Sequence, residues 1–409
     1  MNLMIKKLLI IVLAFIGVYM AYFTLQTADF YKTIYKNKNG NGTPIVKNKT
    51  EYNILLLGFG GIDDNGKVHE GPYLTDSLMI AHIDIKKNTV TLVSLPRDIW
   101  VKLPTKTKEV FHSKINSVYQ IALNSTNYPA VDIRKPGTAD LLAKAVQTIT
   151  GLPIDNYVAV DFAGFEKAID SLGGVDVDVQ KTFDDYEYPL ADKEKELCGK
   201  EAEFEQVKKF MEPGFNEEEK KKLFSEKPEL EKFFKDITEE PKDAFPCRYE
   251  HLHFDKGMTH MDGATALKYV RSRHSLQDGT DFGRGARQQQ FVKALKNKLI
   301  SVGIVTRVFS LMNEVKTHVE TDVSIDQMKK FLSEAADAAK YRFIGIHMSD
   351  SDYLRSSFSD YGGYILIPRM GEDNWKEVHS VISNAILEIT PTPSPMPTRK
   401  ATPSPQKKK

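Results

Sequence analysis

The chain has 409 residues, 41% of them apolar, enough for the core of one large domain with additions or of two ordinary domains. Lysine and arginine number 56 against 55 acidic residues, a formal charge of +1 at pH 7. That balance excludes whole-molecule attraction to nucleic acid or to an acidic surface, so any anion site has to be local.

Residues 8–25, LLIIVLAFIGVYMAYFTL, are an apolar run that follows Lys6 and Lys7 and gives way to polar sequence. About 18 to 20 such residues cross a bilayer core as a helix. The basic flank stays in the cytoplasm, which places the C-terminal bulk on the far side. A cleaved signal peptide is the competing reading, but the run is long for one and residues 26–30 offer only a weak small-residue cleavage site. The expectation is a cytoplasmic N-terminus and a lipid-embedded transmembrane anchor over residues 1–30, then a tether rich in Asn, Lys and Gly over 31–51.

Folded structure is expected from Tyr52. Residues 53–57 are a continuous apolar strand that breaks into the loop GFGGIDDNGKVHEGPYLTDS. Strands at 78–85 and 89–95 follow as a hairpin with a tight turn at 86–88, and the second ends in Pro96-Arg97-Asp98. Charged residues where a strand ends are common carriers of function. Helices are expected at 114–123 and 138–150; the second is capped by Thr138, buried along Leu141, Leu142, Ala145, Val146 and Ile149, and stopped by Gly151. A strand at 157–160, a helix at 164–172 and a strand at 175–179 continue the alternation. Such alternation argues for a three-layer α/β/α domain around a mixed central sheet, here over residues 52–389.

Residues 182–250 break the pattern with Lys and Glu, and with helical stretches at 216–224 and 228–237 between Pro and Gly. This reads as a charged helical insertion with a solvated face. Paired outside the membrane, Cys198 and Cys247 would close a loop of about 50 residues and stabilise it by roughly 4 kcal/mol. Two unpaired buried thiols are the alternative, and nothing in the spacing suggests a metal site.

Residues 261–299 read MDGATALKYVRSRHSLQDGTDFGRGARQQQFVKALKNKL. Asp262 is placed to cap a short helix over 264–270, which leads to Arg271 and Arg273. After a polar loop with Gly279, a second helix opens near Gly283 and carries Arg284, Arg287 and Gln288 on one face. Phe291, Val292, Leu295 and Leu299 continue that face as an apolar stripe. Helix N-termini favour anions, and arginine forks match phosphate oxygens in geometry and charge. From Arg271 onward there are four arginines with no lysine before Lys293, and only Asp278 and Asp281 in the loop to neutralise them, which suits a ligand the size of pyrophosphate; surface salt bridges are the bland alternative. A helix at 324–338, strands at 341–348 and 364–368 and a helix at 374–387 complete the domain. Residues 390–409, TPTPSPMPTRKATPSPQKKK, cannot pack a core and read as a disordered tail.

Several of these stretches form an ordered set: NILLLG (53–58), TDSLM (75–79), SLPRD (94–98), KIN (114–116), SLGGVDVDV (171–179) and the closing ALKYVRSRH, DFGR and RQQQ. Together they resemble the LytR-CpsA-Psr family of cell-wall glycopolymer transferases, which are membrane-anchored and extracytoplasmic. The resemblance implies an apolar pocket for a polyprenyl chain, with Arg97, Arg271, Arg273, Arg284 and Gln288 at the pyrophosphate-gripping positions; helical spacing adds Arg287 to the pyrophosphate-binding set. It implies transfer of a glycopolymer from polyprenyl pyrophosphate to a peptidoglycan sugar hydroxyl, assisted by Mg2+ on Asp76, with Arg97, Asp98, Arg271 and Arg273 at the reacting centre. Asp98 is read as orienting a neighbouring arginine. The chain departs from the family pattern at Leu74, where Arg is usual, and at Gly60, where Asp is usual. Its loop is also longer, so Asp63, Asp64 or His69 could supply a second metal ligand, Asp64 first among them. No residue declares itself as a general base. A pyrophosphatase using water on the same lipid, and a non-catalytic lipid-binding regulatory protein, are the competing functions.

The topology has a direct test. Protease added to intact cells should degrade the chain beyond about Phe30 and leave the anchor in the membrane; release of a soluble mature form, or a protected domain, would contradict it.

Overall fold

The computed structural model describes residues 27–36, 49–61, 71–212, 214–302, 314–335, 338–350 and 352–388. The expected span at 8–25, most of the tether, Asp63, Asp64, His69 and the tail all lie outside them. Among the described residues no helix is long and apolar enough to cross a membrane.

Six of the nine positions of β1 (Glu51–Phe59) are buried and only Glu51 is exposed, as in a strand covered on both faces. It pairs antiparallel with β2 (Thr75–Asp84), which turns into β3 (Thr89–Ser94) as a hairpin. Asp84 accepts the amides of Lys86 and Lys87 in that turn, and Asn88 takes a left-handed φ of 51°. A small ribbon, β4 (Trp100–Leu103) and β5 (Phe111–Lys114), leads to helices α1 (Val118–Leu123) and α2 (Asp140–Thr150). Then come β6 (Asn156–Asp161), α3 (Phe162–Ser171), β7 (Val175–Val179) and β8 (Phe183–Pro189). The insertion contributes α4 (Glu201–Val207), α5 (Glu217–Glu226), α6 (Pro228–Glu239) and α7 (Pro241–Ala244). The chain returns through β9 (Tyr249–Phe254), β10 (Gly257–Met261), α8 (Gly263–Arg271) and α9 (Asp281–Val302). It ends with β11 (Val319–Thr321), α10 (Ile325–Ala335), β12 (Arg342–His347), the hairpin β13 (Leu354–Phe358) and β14 (Tyr364–Pro368), and α11 (Lys376–Ile386).

Six strands form the mixed central sheet in the order β11-β6-β1-β2-β3-β12, with β1/β6 and β3/β12 parallel and the rest antiparallel. Strand alternation sends Leu55, Leu57, Ile80 and Val93 to one face, against Leu142, Val146 and Ile149 of α2 and Ile382 of α11. Leu56, Met79 and Leu92 point the other way, towards Val292 of α9. The expected three layers are therefore present. Gln289 ties α9 to the sheet, its amide nitrogen lying 2.9 Å from the Ile346 carbonyl and Ser94 hydroxyl and 3.2 Å from the Leu92 carbonyl. α8 crosses α3 so closely that a Cβ at Gly263 would collide with the Glu166 carbonyl.

Three expectations change. The helix expected at 114–123 is shorter, because Lys114 still belongs to β5 and α1 begins at Val118 after a 3-10 turn. The insertion is not wholly helical: β8 and β9 pair as an antiparallel stem, and α4 to α7 hang from it around their own core of Val207, Phe210, Phe224, Leu230, Phe233 and Phe245. The first part of the tether is structured, with residues 27–34 helical, Tyr35 bridged to Thr321, and the Lys36 amide donating to the Thr321 carbonyl at 2.9 Å.

Cys198 and Cys247 are disulfide-bonded with Cα atoms 5.6 Å apart, which pins the helical insertion above its stem. Opening that loop should cost roughly 4 kcal/mol within the insertion. Under reducing conditions, proteolysis should therefore cut between the stem strands first while the sheet stays intact; simultaneous loss of both would show that the two cores unfold together.

Candidate active site

Between the second face of the sheet and helices α3, α8 and α9 lies a cavity of about 400 Å3. Leu56, Met79 and Val160 line it from the sheet, Phe165 from α3, Leu267 and Val270 from α8, and Phe291, Val292 and Leu295 from α9. Asp76, Arg97, Arg271, Arg273, Arg284 and Gln288 complete the wall. Position along α9 separates the two characters. Arg284 and Gln288 occupy its first turns and Leu295 lies about 16 Å further on, at 1.5 Å per residue. The cavity thus has a cationic end and an apolar body.

The charges at that end are unevenly paired. Arg97 donates to Asp76 at 2.9 Å, with Asp281 and Asp98 at 3.5 and 3.6 Å from its Nε, while Asp98 itself accepts from Lys114 at 2.6 Å. Burial works against the Arg97 charge, but Asp281 and Asp76 outweigh it and hold its pKa above the ordinary value. Arg284, 6% exposed, has Asp281 at 3.2 Å. Burial pushes the Arg284 and Arg273 pKa values down; Arg97 pushes both further, and Asp281 offsets only part. An arginine keeps its proton regardless, so both guanidinium groups stay charged in a buried setting.

Arg271 donates to the Tyr188 hydroxyl at 3.2 Å and lies 4.0 Å over the Phe162 ring. Arg273 donates from Nε to His274 at 3.1 Å. Neither has a carboxylate at ion-pair distance among the described residues. An anion with several oxygens between them would supply what the fold leaves out.

Arg287 does not join this group, although helical spacing places it beside Arg284 and Gln288. It is 4% exposed and does not line the cavity. Its guanidinium serves the Tyr269 carbonyl at 3.2 Å, the Ser272 carbonyl and the Asp278 carboxylate, over the Phe183 ring at 4.7 Å. Helix ends leave carbonyls unpaired, and Arg287 satisfies those of α8. Gln288 does reach the cavity, with its amide held at both ends: it donates to the Val270 carbonyl at 3.2 Å and accepts from Ser77 at 3.1 Å. Asp98 is buried between Arg97 and Lys114, a position that orients Arg97.

For a metal ion, the described residues hold no cluster of three His, Cys, Asp or Glu. Among the carboxylates at the cationic end, Asp76 has one oxygen on Arg97 and the other without a partner among the described residues. That fits Mg2+, which binds through one or two carboxylates and fills its shell with water and phosphate oxygens. Leu74 lies in a turn, its amide on the Gly71 carbonyl, and does not line the cavity; Gly60 is buried just past β1. The sequence reading missed the stem. Asp185, Glu187 and Tyr188 of β8 line the cavity, as do His274 and Phe162.

Substitution separates the two kinds of arginine. Arg287→Ala leaves buried carbonyls and Asp278 unpaired and should destabilise by about 3 to 5 kcal/mol. Arg273→Ala relieves repulsion and should change stability by no more than about 1 kcal/mol. Thermal unfolding of the two variants checks the contrast.

The model of the LytR_cpsA_psr family matches residues 18–355 of the chain. The polyisoprenyl-teichoic acid–peptidoglycan teichoic acid transferase TagV of Bacillus subtilis is 25% identical over 323 residues, which cover 78% of this chain but only 63% of that protein. TagU of Bacillus cereus, which carries the same transferase description, is 26% identical over 336 residues, 79% of this chain and 81% of its own. The fold is shared with the crystal structure of the Streptococcus agalactiae protein gbs0355, at a TM-score of 0.51 and 16% identity over 84% of this chain and 90% of that one. A family match running from residue 18 to 355, over the whole of the sheet up to β12, shows that this chain belongs to the LytR-CpsA-Psr family.

Proposed function

We propose that the protein transfers a glycopolymer from a polyprenyl-pyrophosphate carrier onto a sugar hydroxyl of peptidoglycan, outside the cell, while residues 8–25 anchor it in the membrane with the N-terminus in the cytoplasm. The observation that carries this reading is one cavity that is apolar along α9 and lined at its other end by four arginines, two of which, Arg271 and Arg273, have no carboxylate at ion-pair distance among the described residues. A polyprenyl pyrophosphate has the same two-part character. The transferase names of the TagV and TagU relatives support the same reaction class.

In the proposed reaction the acceptor hydroxyl oxygen attacks the phosphorus that bears the glycan. The bond from that phosphorus to the bridging oxygen breaks, polyprenyl monophosphate leaves, and the hydroxyl proton passes to solvent. Phosphoryl transfer asks for positioning and charge neutralisation more than for covalent help. Arg271 and Arg273 bind the pyrophosphate, Arg284 and Arg97 stabilise the charge that develops on its oxygens, and Asp98 keeps Arg97 aligned. Asp76 would hold Mg2+, which supplies further neutralisation of the phosphate oxygens.

Incubation of the full chain with polyprenyl-pyrophosphate-linked glycan, peptidoglycan fragments and Mg2+ should yield glycan-modified peptidoglycan and polyprenyl monophosphate. Arg97→Ala, Arg271→Ala, Arg273→Ala and Arg284→Ala should each cost about 10- to 150-fold, as expected for a charge-assisted hydrogen bond worth roughly 1.5 to 3 kcal/mol. Arg→Lys should restore only part of this. Asp76→Ala should abolish the metal-dependent rate, and Leu74→Ala should leave it near the parent value. Release of free glycan phosphate without acceptor would identify a pyrophosphatase; binding with no turnover would identify a regulatory protein.

A further inference from the structure

We propose that His274 is a positioning residue: a neutral imidazole that holds Arg273 by one edge and leaves its other edge to the ligand. A guanidinium carries donors only, so the His274 Nε2 that receives Arg273 Nε at 3.1 Å has no proton of its own. The ring proton then sits on Nδ1, which faces the Glu187 carboxylate at 3.5 Å. Glu187 is fixed in turn by Lys242 of the insertion at 2.6 Å.

The arrangement uses the side of Arg273 that a phosphate needs least. With Nε engaged, the two terminal nitrogens have no partner among the described residues, and Arg273 is part of the cavity wall. They form the fork that matches two phosphate oxygens. The charged groups around His274 are Arg273 on one side and, on the other, Glu187, Asp185, which accepts the His274 amide at 3.2 Å, and Asp281. Burial and then Arg273 lower the His274 pKa against the pull of the three carboxylates, so the ring is neutral at pH 7. Protonation would set an N–H against an N–H and turn the bond into repulsion. Arg273 would have to leave its place.

That the anion is a lipid pyrophosphate rests on the function proposed above; the hydrogen bond and the tautomer do not. The test is the affinity of the full chain for geranylgeranyl pyrophosphate from about pH 7.5 down to about pH 5. The parent should weaken by about tenfold more than His274→Gln across that range, because a glutamine carbonyl accepts from Arg273 and does not titrate. Ligand ionisation is common to both and cancels. Near neutrality His274→Gln should bind within about threefold of the parent and His274→Ala about tenfold worse. Equal pH dependence in parent and His274→Gln, or unimpaired binding by His274→Ala, would overturn the proposal. Nitrogen-15 spectra of the imidazole at neutral pH provide a readout independent of ligand and should place the proton on Nδ1. A proton on Nε2 rejects the proposal outright, whereas the expected tautomer in a parent that binds no pyrophosphate would count against the proposed function alone.

Discussion

The guanidinium of Arg287 takes up the Tyr269 and Ser272 carbonyls near the end of α8 and pairs across the loop with Asp278. A buried charge costs several kcal/mol unless it is paired and hydrogen-bonded, and here carbonyls, a carboxylate and the face of Phe183 meet it. The result is a fixed junction between the end of α8, with Arg271 and Arg273 close by, and the first turns of α9, which carry Arg284. Gln289, two residues on, fixes α9 to the sheet beside Ser94. The cationic end is therefore built before any ligand arrives, and little ordering remains to oppose binding.

The arginines around the cavity are unevenly paired. Asp76, Asp98 and Asp281 gather around Arg97, while Arg271 and Arg273 meet a phenol, an aromatic face and an imidazole instead. Each of those partners orients a guanidinium without neutralising it. The apolar body of the cavity sharpens the effect, since charges beside low-dielectric walls are poorly screened. A soluble inorganic phosphate could satisfy the arginines but would leave the apolar length along α9 unfilled.

Much of this was legible in the sequence for local reasons. The unbroken apolar run of β1, the tight turn between β2 and β3, the Asp262 cap, which accepts the Thr265 amide, and the left-handed Gly151 that stops α2 are each encoded within a few residues. Arg97, Arg271, Arg273, Arg284 and Gln288 do converge on one cavity. Arg287 shows where periodicity fails: a spacing of three or four residues puts side chains on a common stripe but cannot say which edge faces a cavity and which a neighbouring helix. The β8 stem shows a second failure. Its partner β9 begins only at Tyr249, beyond all the helices of the insertion, so the pairing that carries Glu187 and Tyr188 to the cavity is set by long-range contact, not by local pattern. The ribbon of β4 and β5, and β13, which pairs with the expected strand at 364–368, are short strands whose alternation is too brief to stand out.

The docking of residues 27–36 on the edge strand β11 has a mechanical meaning. Tyr35 and Lys36 are bonded to Thr321, Ile34 is buried, and Asp29 meets Lys316 at 3.1 Å. If residues 8–25 cross the bilayer as proposed, only residue 26 separates the span from this docked segment. The domain would then ride on the membrane as a rigidly mounted tool, not at the end of a leash. Its height and its angle to the surface would be set by a single short helix. Encounters with a carrier confined to the same bilayer would become a search in two dimensions, with the cavity held at one fixed elevation throughout.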